Sequence, residues 1–322
     1  MTNLLYDTLF GRHAGKSTPF LHLPDGTTLT HDHFLRMAAR YAHAMTELGL
    51  VAGDRLAAQI EKSPEVLAVY AACAQTGVIF LPLNTGYTAA ELDYFIGNSG
   101  AKLVLATRRA EEALSPIAAI YDAILRTLNP DGSGSFPELA ASQSDVFETV
   151  SRAPDDLAAF LYTSGTTGRS KGAMLTQANL VSNAQTLADY WQFTSGDVLL
   201  HALPIFHTHG LFVASNVTLI AGGAMIFLPK LDMDQMIDPE YEPPEEGEQG
   251  YTQYVARNKF LYSVWIDITS NPDHEARLWL LEKAMKNDVS TVIDVKVEQE
   301  SNILPMLPPG GHLKEAFGAC MK

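Results

Sequence analysis

Short apolar runs alternate with longer amphipathic segments along the first two thirds of the chain, and the change of period sets the expected elements. Residues 55–60 ("RLAAQI") and 78–83 ("VIFLPL") are continuous apolar runs of strand length. Between them, 64–77 ("PEVLAVYAACAQTG") has helical length and opens on Pro64, a residue suited to a first helical turn. Thr88 and Glu91 then form a capping box at the start of "TAAELDYFIGNSG" (88–100), and "KLVLAT" (102–107) returns to strand. Strand, helix and strand in repeated order predict an α/β fold of layered parallel sheets with flanking helices.

A polar stretch at 129–145 ("NPDGSGSFPELAASQSD") is expected to be a loop, after which "AAFLYT" (158–163) is a strand. A Gly/Ser/Thr-rich loop follows it, and a helix is expected from about Thr176, with Leu180, Ala184, Leu187, Ala188 and Trp191 on one face. Residues 198–204 and 224–229 add two strands, joined by a helix over 210–223. The character changes after Lys230: residues 238–250 hold six acids, three prolines and no base, which is linker composition. Beyond it, "KFLYSVWIDIT", "PDHEARLWLLEKAMKN" and "VSTVIDVKVEQE" suggest strand, helix and strand. The expected organisation is therefore an N-terminal α/β domain over 1–230, an acidic linker over 231–250 and a small α+β tail over 251–322.

Composition narrows the partners. The 322 residues are 47% hydrophobic and 18% charged, with a formal charge of −15, which argues against nucleic acid or an anionic membrane. Residues 231–322 carry 17 acids and 8 bases, so the shorter part holds most of that charge, and this acidic tail is a surface a protein partner would cover. No apolar run has the length of a membrane span, so a cytoplasmic protein is expected. Cys73 and Cys320 stand far apart, which suggests neither a disulfide framework nor a thiolate metal site. Cys73, in "EVLAVYAACAQTG", reads as a small core residue.

Candidate chemistry concentrates in "FLYTSGTTGRSKG" (160–172). A Gly/Ser/Thr cluster alone is compatible with a linker, and the spacing fails the Walker A pattern because Ser170 stands where the second glycine belongs. Its context suits phosphate. A strand delivers the chain, glycines let consecutive backbone N–H groups turn toward one anion, hydroxyls add donors, and Lys171 brings a charge on a flexible arm.

The stretch "YTSGTTGRSKGAMLTQANL" (162–180) closely resembles the signature loop of the AMP-forming acyl-CoA synthetases, the adenylate-forming superfamily. Two further stretches agree: "HALPIFHTHGLF" (201–212) is similar to the family's next motif, and 53–96 resembles its N-terminal region. Together they place about residues 1–230 in the family. Within it, "YTSGTTGRSKGAML" with "LPIFHTHGLF" is most similar to malonyl-CoA synthetases, and the serine of "GRSKG" points the same way.

The resemblance implies an enzyme that joins a carboxylate, malonate by preference, to AMP with release of pyrophosphate, and then passes the acyl group to CoA. ATP, Mg²⁺ and CoA would be required. Thr163, Ser164, Gly165, Thr166, Thr167, Gly168, Arg169, Ser170 and Lys171 would cradle the ATP β- and γ-phosphates, with Lys171 also serving catalysis. His207 would flank the acyl pocket and take part in catalysis, and His209 is either a contact to the carboxylate end or a packing histidine. A metal reading of "HTH" (207–209) lacks further ligands nearby, and Thr30 as a helix cap accounts for "THDHF" (30–34) better than a metal does.

After Lys230 the family's "Y-G-x-T-E" segment, ribose-binding aspartate, hinge and adenylation lysine have no counterpart, and Lys314 lacks the expected surroundings. The expectation is a chain that adenylates very poorly by itself. The alternatives are a non-catalytic nucleotide- or phosphate-binding interaction protein, or a chimeric chain joined near residue 231.

Overall fold

The computed structural model describes residues 3–163 and 170–230 and the backbone of 262–266 and 291–295; Thr163 is described by its backbone alone. Contacts divide the chain into Met1–Phe260 and Leu261–Lys322. The acidic linker and the helix expected between the two tail strands lie outside the described residues.

In the first unit the elements run as follows: α1 Leu4–Leu9, β1 Pro19–His22, β2 Thr28–Thr30, α2 His31–Glu47, β3 Arg55–Gln59, α3 Pro64–Thr76, β4 Ile79–Pro82, α4 Ala89–Ser99, β5 Leu103–Ala106, α5 Glu111–Ile120, β6 Ile124–Thr127, α6 Ser135–Ala141, β7 Leu157–Thr163, β8 Lys171–Thr176, α7 Gln177–Tyr190, β9 Val198–His201, α8 Asn216–Ala221 and β10 Ala224–Phe227. They form a six-stranded sheet in the order β6-β5-β3-β4-β7-β8 and a four-stranded sheet in the order β2-β1-β10-β9. In the second unit, β11 Tyr262–Ile266 and β12 Thr291–Val295 pair in parallel.

The helix starts follow from side-chain caps. Thr30, Ser63, Thr88 and Thr176 each accept the backbone N–H of the residue three positions on, which satisfies a donor the helix itself leaves unpaired. Thr88 and Glu91 complete the expected capping box. The apolar face expected on α7 turns inward: Leu180, Ala184 and Ala188 are buried, while Leu187 and Trp191 are half-buried. In α3 every residue from Val66 to Thr76 is buried, Cys73 included, as expected of a helix apolar on all sides.

The structure corrects three expectations. The sheets are mixed, because β2 and β8 run antiparallel to their neighbours β1 and β7. The supposed loop at 129–145 contains α6, whose Phe136 is buried and stacks on Tyr41 of α2 with ring centroids 5.2 Å apart. This tertiary contact overrides local sequence rich in Gly, Ser and Pro. The helix expected over 210–223 is a π-helical segment, His209–Ser215, followed by α8.

His13 and His31 stack with centroids 4.4 Å apart, and their Nε2 atoms lie 2.7 and 3.2 Å from the carbonyls of Leu219 and Gly223. Burial, the larger cause, and neighbouring cationic or imidazole groups lower both from 6.5 to about 4. At neutral pH folded and unfolded chains hold both rings uncharged. Below about 6.5 the unfolded chain takes up protons that the fold refuses, so stability falls with pH until the folded rings charge near 4. Urea unfolding should therefore lose on the order of 1–2 kcal/mol per imidazole across that window. A midpoint that is flat through the window would show the pair to be uninvolved.

Candidate active site

The Gly/Ser/Thr-rich loop joins two paired strands. β7 and β8 are antiparallel, with Thr163 opposite Lys171 at the end nearest the loop, so a strand stands between the loop and α7. Sequence reasoning missed β8: it is an edge strand, exposed over residues 171–174, and has no alternating apolar pattern to mark it. β7 is an inner strand that also pairs with β4.

Both ends of the loop are held by α4. Tyr162, next to the end of β7, donates its hydroxyl to Asn98 Oδ1 at 2.7 Å and packs on Phe95 with centroids 4.4 Å apart. Burial, with a lesser contribution from Tyr94, pushes the Tyr162 phenol up to about 12, so it stays a neutral donor. Tyr94 donates its hydroxyl to the Ser170 carbonyl at 3.1 Å, immediately before Lys171. α4 thus grips the chain on either side of the loop, a role its sequence did not disclose.

Of the residues chosen from sequence, Thr163 ends β7, Ser170 is half-buried beside Tyr94, and Lys171 opens β8 with its side chain exposed. Ser164, Gly165, Thr166, Thr167, Gly168 and Arg169 lie outside the described residues. His207 and His209 sit beyond β9, the strand that follows β8 and α7 in the chain, and α7 packs against the π-helical segment that His209 begins. Both imidazoles are exposed; partial desolvation first, and His209 second, hold His207 below its ordinary value. Gly210 follows because a Cβ there would overlap the Pro204 carbonyl, and the turn closes only without one.

Behind this turn lies a buried polar group absent from the sequence reading. His201, at the end of β9, places Nδ1 2.7 Å from Lys62 Nζ and Nε2 2.8 Å from the Gly210 carbonyl. A histidine inside the apolar run "VLLHALP" is a visible anomaly, but its lysine partner lies 139 positions earlier. The described residues also enclose a cavity of about 380 Å³ at the carboxyl ends of β3 and β5, lined in part by Gln59, Glu61, Thr107 and Arg109. No residue chosen from the sequence lines it. Among the described residues no group of three or more His, Cys, Asp or Glu side chains could hold a metal ion. Nor is any described helix long and apolar enough to cross a membrane.

Residues 11–240 match the AMP-binding enzyme family. The chain belongs to that family. Its AMP-binding region is 50% identical to apo MatB from Rhodopseudomonas palustris, with a TM-score of 0.71 over 73% of this chain and 47% of that one, and the ATP-bound MatB structure gives the same figures. Similar proteins include an oxalate–CoA ligase (33% identical, 62% of this chain, 39% of the relative) and a malonate–CoA ligase (34%, 58% and 31%), both from Arabidopsis thaliana. The chain thus spans between about a third and a half of the length of these relatives.

The grip of α4 on the two ends of the loop can be tested directly. Tyr94→Phe removes one hydroxyl donor while keeping the ring, and a net hydrogen bond contributes roughly 0.5–1.5 kcal/mol. Pyrophosphate affinity by calorimetry should fall by about two- to tenfold. Unchanged affinity would mean that the loop is positioned without Tyr94.

Proposed function

We propose that this chain supplies the phosphate-binding and acyl-side portion of a CoA ligase that activates a small carboxylate, malonate by preference, as its adenylate. A carboxylate oxygen would attack the α-phosphorus of ATP, the bond to the bridging oxygen would break, and pyrophosphate would leave. In the second step the CoA thiol would lose its proton and attack the acyl carbonyl, expelling AMP. Residues 163–171 take the β- and γ-phosphates, where Lys171 offsets charge developing on the leaving pyrophosphate. Mg²⁺ enters with the nucleotide as part of the substrate. His207 borders the acyl pocket, and His209 faces the carboxylate end. A cytoplasmic site of action accompanies this reading.

The observation that carries it is the hairpin closed at Thr163 and Lys171, which delivers a glycine- and hydroxyl-rich loop with a lysine at its exit. The 50% identity to ATP-bound MatB supports the nucleotide assignment, and the malonate–CoA ligase among the relatives supports the acid. His207, kept below its ordinary value by burial and by His209, is a neutral ring that can accept or donate one hydrogen bond beside a carboxylate.

Residues 231–322 carry neither a "Y-G-x-T-E" segment nor a lysine in the family's adenylation context. We therefore assign this chain binding with little turnover. Losing one preorganised donor costs roughly 2.7–4 kcal/mol of transition-state stabilisation, and several would be missing together.

Calorimetry with MgATP and with pyrophosphate should show binding to the protein, weakened about ten- to a hundredfold by Lys171→Ala, the range for a charged hydrogen bond. Pyrophosphate release with ATP, Mg²⁺, malonate and CoA should stay close to that of Lys171→Ala. Absence of binding to either ligand rejects the phosphate site, whereas robust release rejects the assignment of weak turnover.

A further inference from the structure

Lys62 is buried, yet among the described residues no carboxylate pairs with it. Its Nζ lies 2.7 Å from His201 Nδ1 and 2.6 Å from the His201 carbonyl, with the Phe227 ring centroid 4.3 Å away. Burying an amine without an acid partner is costly, and burial alone lowers Lys62 from 10.5 to about 6. Such a lysine adds little to stability. Between pH 6 and 10.5 the unfolded chain binds a proton that the folded one gives up, which favours unfolding.

The partners fix the chemistry of His201. A carbonyl can only accept, so Nε2 must carry the hydrogen that points at Gly210, and Nδ1 is left as an acceptor for the Lys62 amine. Ser215 donates its hydroxyl to the same Gly210 carbonyl at 2.9 Å, and its oxygen lies 3.1 Å from His201 Nε2. Two donors therefore converge on one backbone oxygen, in the residue directly after His209 and three after His207. π-Helical segments recur at functional sites, and Gly210 lies near the start of this one, against the Pro204 carbonyl. Lys62 itself precedes Ser63, the N-cap of α3, so the chain of contacts runs from α3 through β9 into the turn.

We propose that Lys62 is a positioning residue: acting through His201, it fixes the Gly210 carbonyl and thereby the placement of His207 and His209 for the carboxylate substrate. The role at the substrate rests on the functional reading above; the placement of the turn does not. Lys62 donates in either protonation state, since a neutral amine still has two hydrogens for His201 Nδ1 and the carbonyl. His201 stays neutral, because burial first and the neighbouring amine second lower it to about 3.

The test compares the full chain with Lys62→Met, which keeps most of the volume and removes the donors. Amide hydrogen exchange over residues 207–215 should accelerate at least tenfold while that of β8 stays unchanged, and the ¹⁵N imidazole signals of His207 and His209 should shift. Malonate affinity should fall about tenfold with pyrophosphate affinity untouched. Lys62→Gln retains an N–H donor one bond shorter and should recover part of each change. Exchange and imidazole signals as in the unsubstituted protein, in folded Lys62→Met, would overturn the proposal. Should Lys62→Met not fold, Lys62→Gln decides, because its weaker contacts require an intermediate rise in exchange and normal exchange refutes them. An unsubstituted protein that binds no malonate would reject the functional reading, with the exchange data still deciding the positioning.

Discussion

Everything in the first unit leans on α3, a helix buried on all sides between elements of both sheets. Its Tyr70 meets Phe80 of β4 in the six-stranded sheet, Phe212 of the π-helical segment after β9, and Phe10 beyond α1, with centroids 5.6 to 5.7 Å apart. The phenol oxygen accepts from Asn216 Nδ2 at 3.2 Å, and burial forces the ring to remain uncharged. A large aromatic with a satisfied polar end, gripped by three other rings, gives the interior one arrangement instead of several. The placement of β7 beside β4 and of the turn after β9 both follow from where α3 sits.

That dependence links two segments that are distant in sequence. The loop at 164–170 belongs to the six-stranded sheet through β7, and His207 belongs to the four-stranded sheet through β9. Each is secured by a helix: α4 holds the loop ends through Tyr94 and Tyr162, and the start of α3 reaches the turn through Lys62 and His201. Rigid elements thus carry the side chains on both sides of each segment.

Features governed by near neighbours were legible in the sequence. The caps at Thr30, Thr88 and Thr176 and the buried runs of β3, β4 and β5 need only residues within one turn or one strand, so pattern and side-chain chemistry announced them. The family was legible as well, because the residue types of 162–180 are costly elsewhere and therefore distinctive. What stayed hidden depends on contacts distant in sequence. β8 takes its form from pairing with β7 and shows solvent an exposed Met174; α6 exists because Phe136 finds Tyr41; and a Lys before a Ser-Pro start looks like a surface charge until His201 is brought to it.

Electrostatics sharpen the division between binding and placement. The chain has 37 acids against 22 bases, so its net field repels a triphosphate. Remote acids are screened beyond the Debye length, about 8 Å at physiological salt, so short-range donors around the loop decide whether an anion is held. Lys171 is open to such a ligand, since it lies next to the loop, exposed and at the start of an edge strand. Lys62 cannot take that part, since burial removes its charge at neutral pH and its hydrogens are committed to His201. Burial alone thus separates the two lysines: an exposed one keeps its side chain open to a ligand, and a buried one is committed to the geometry of a turn.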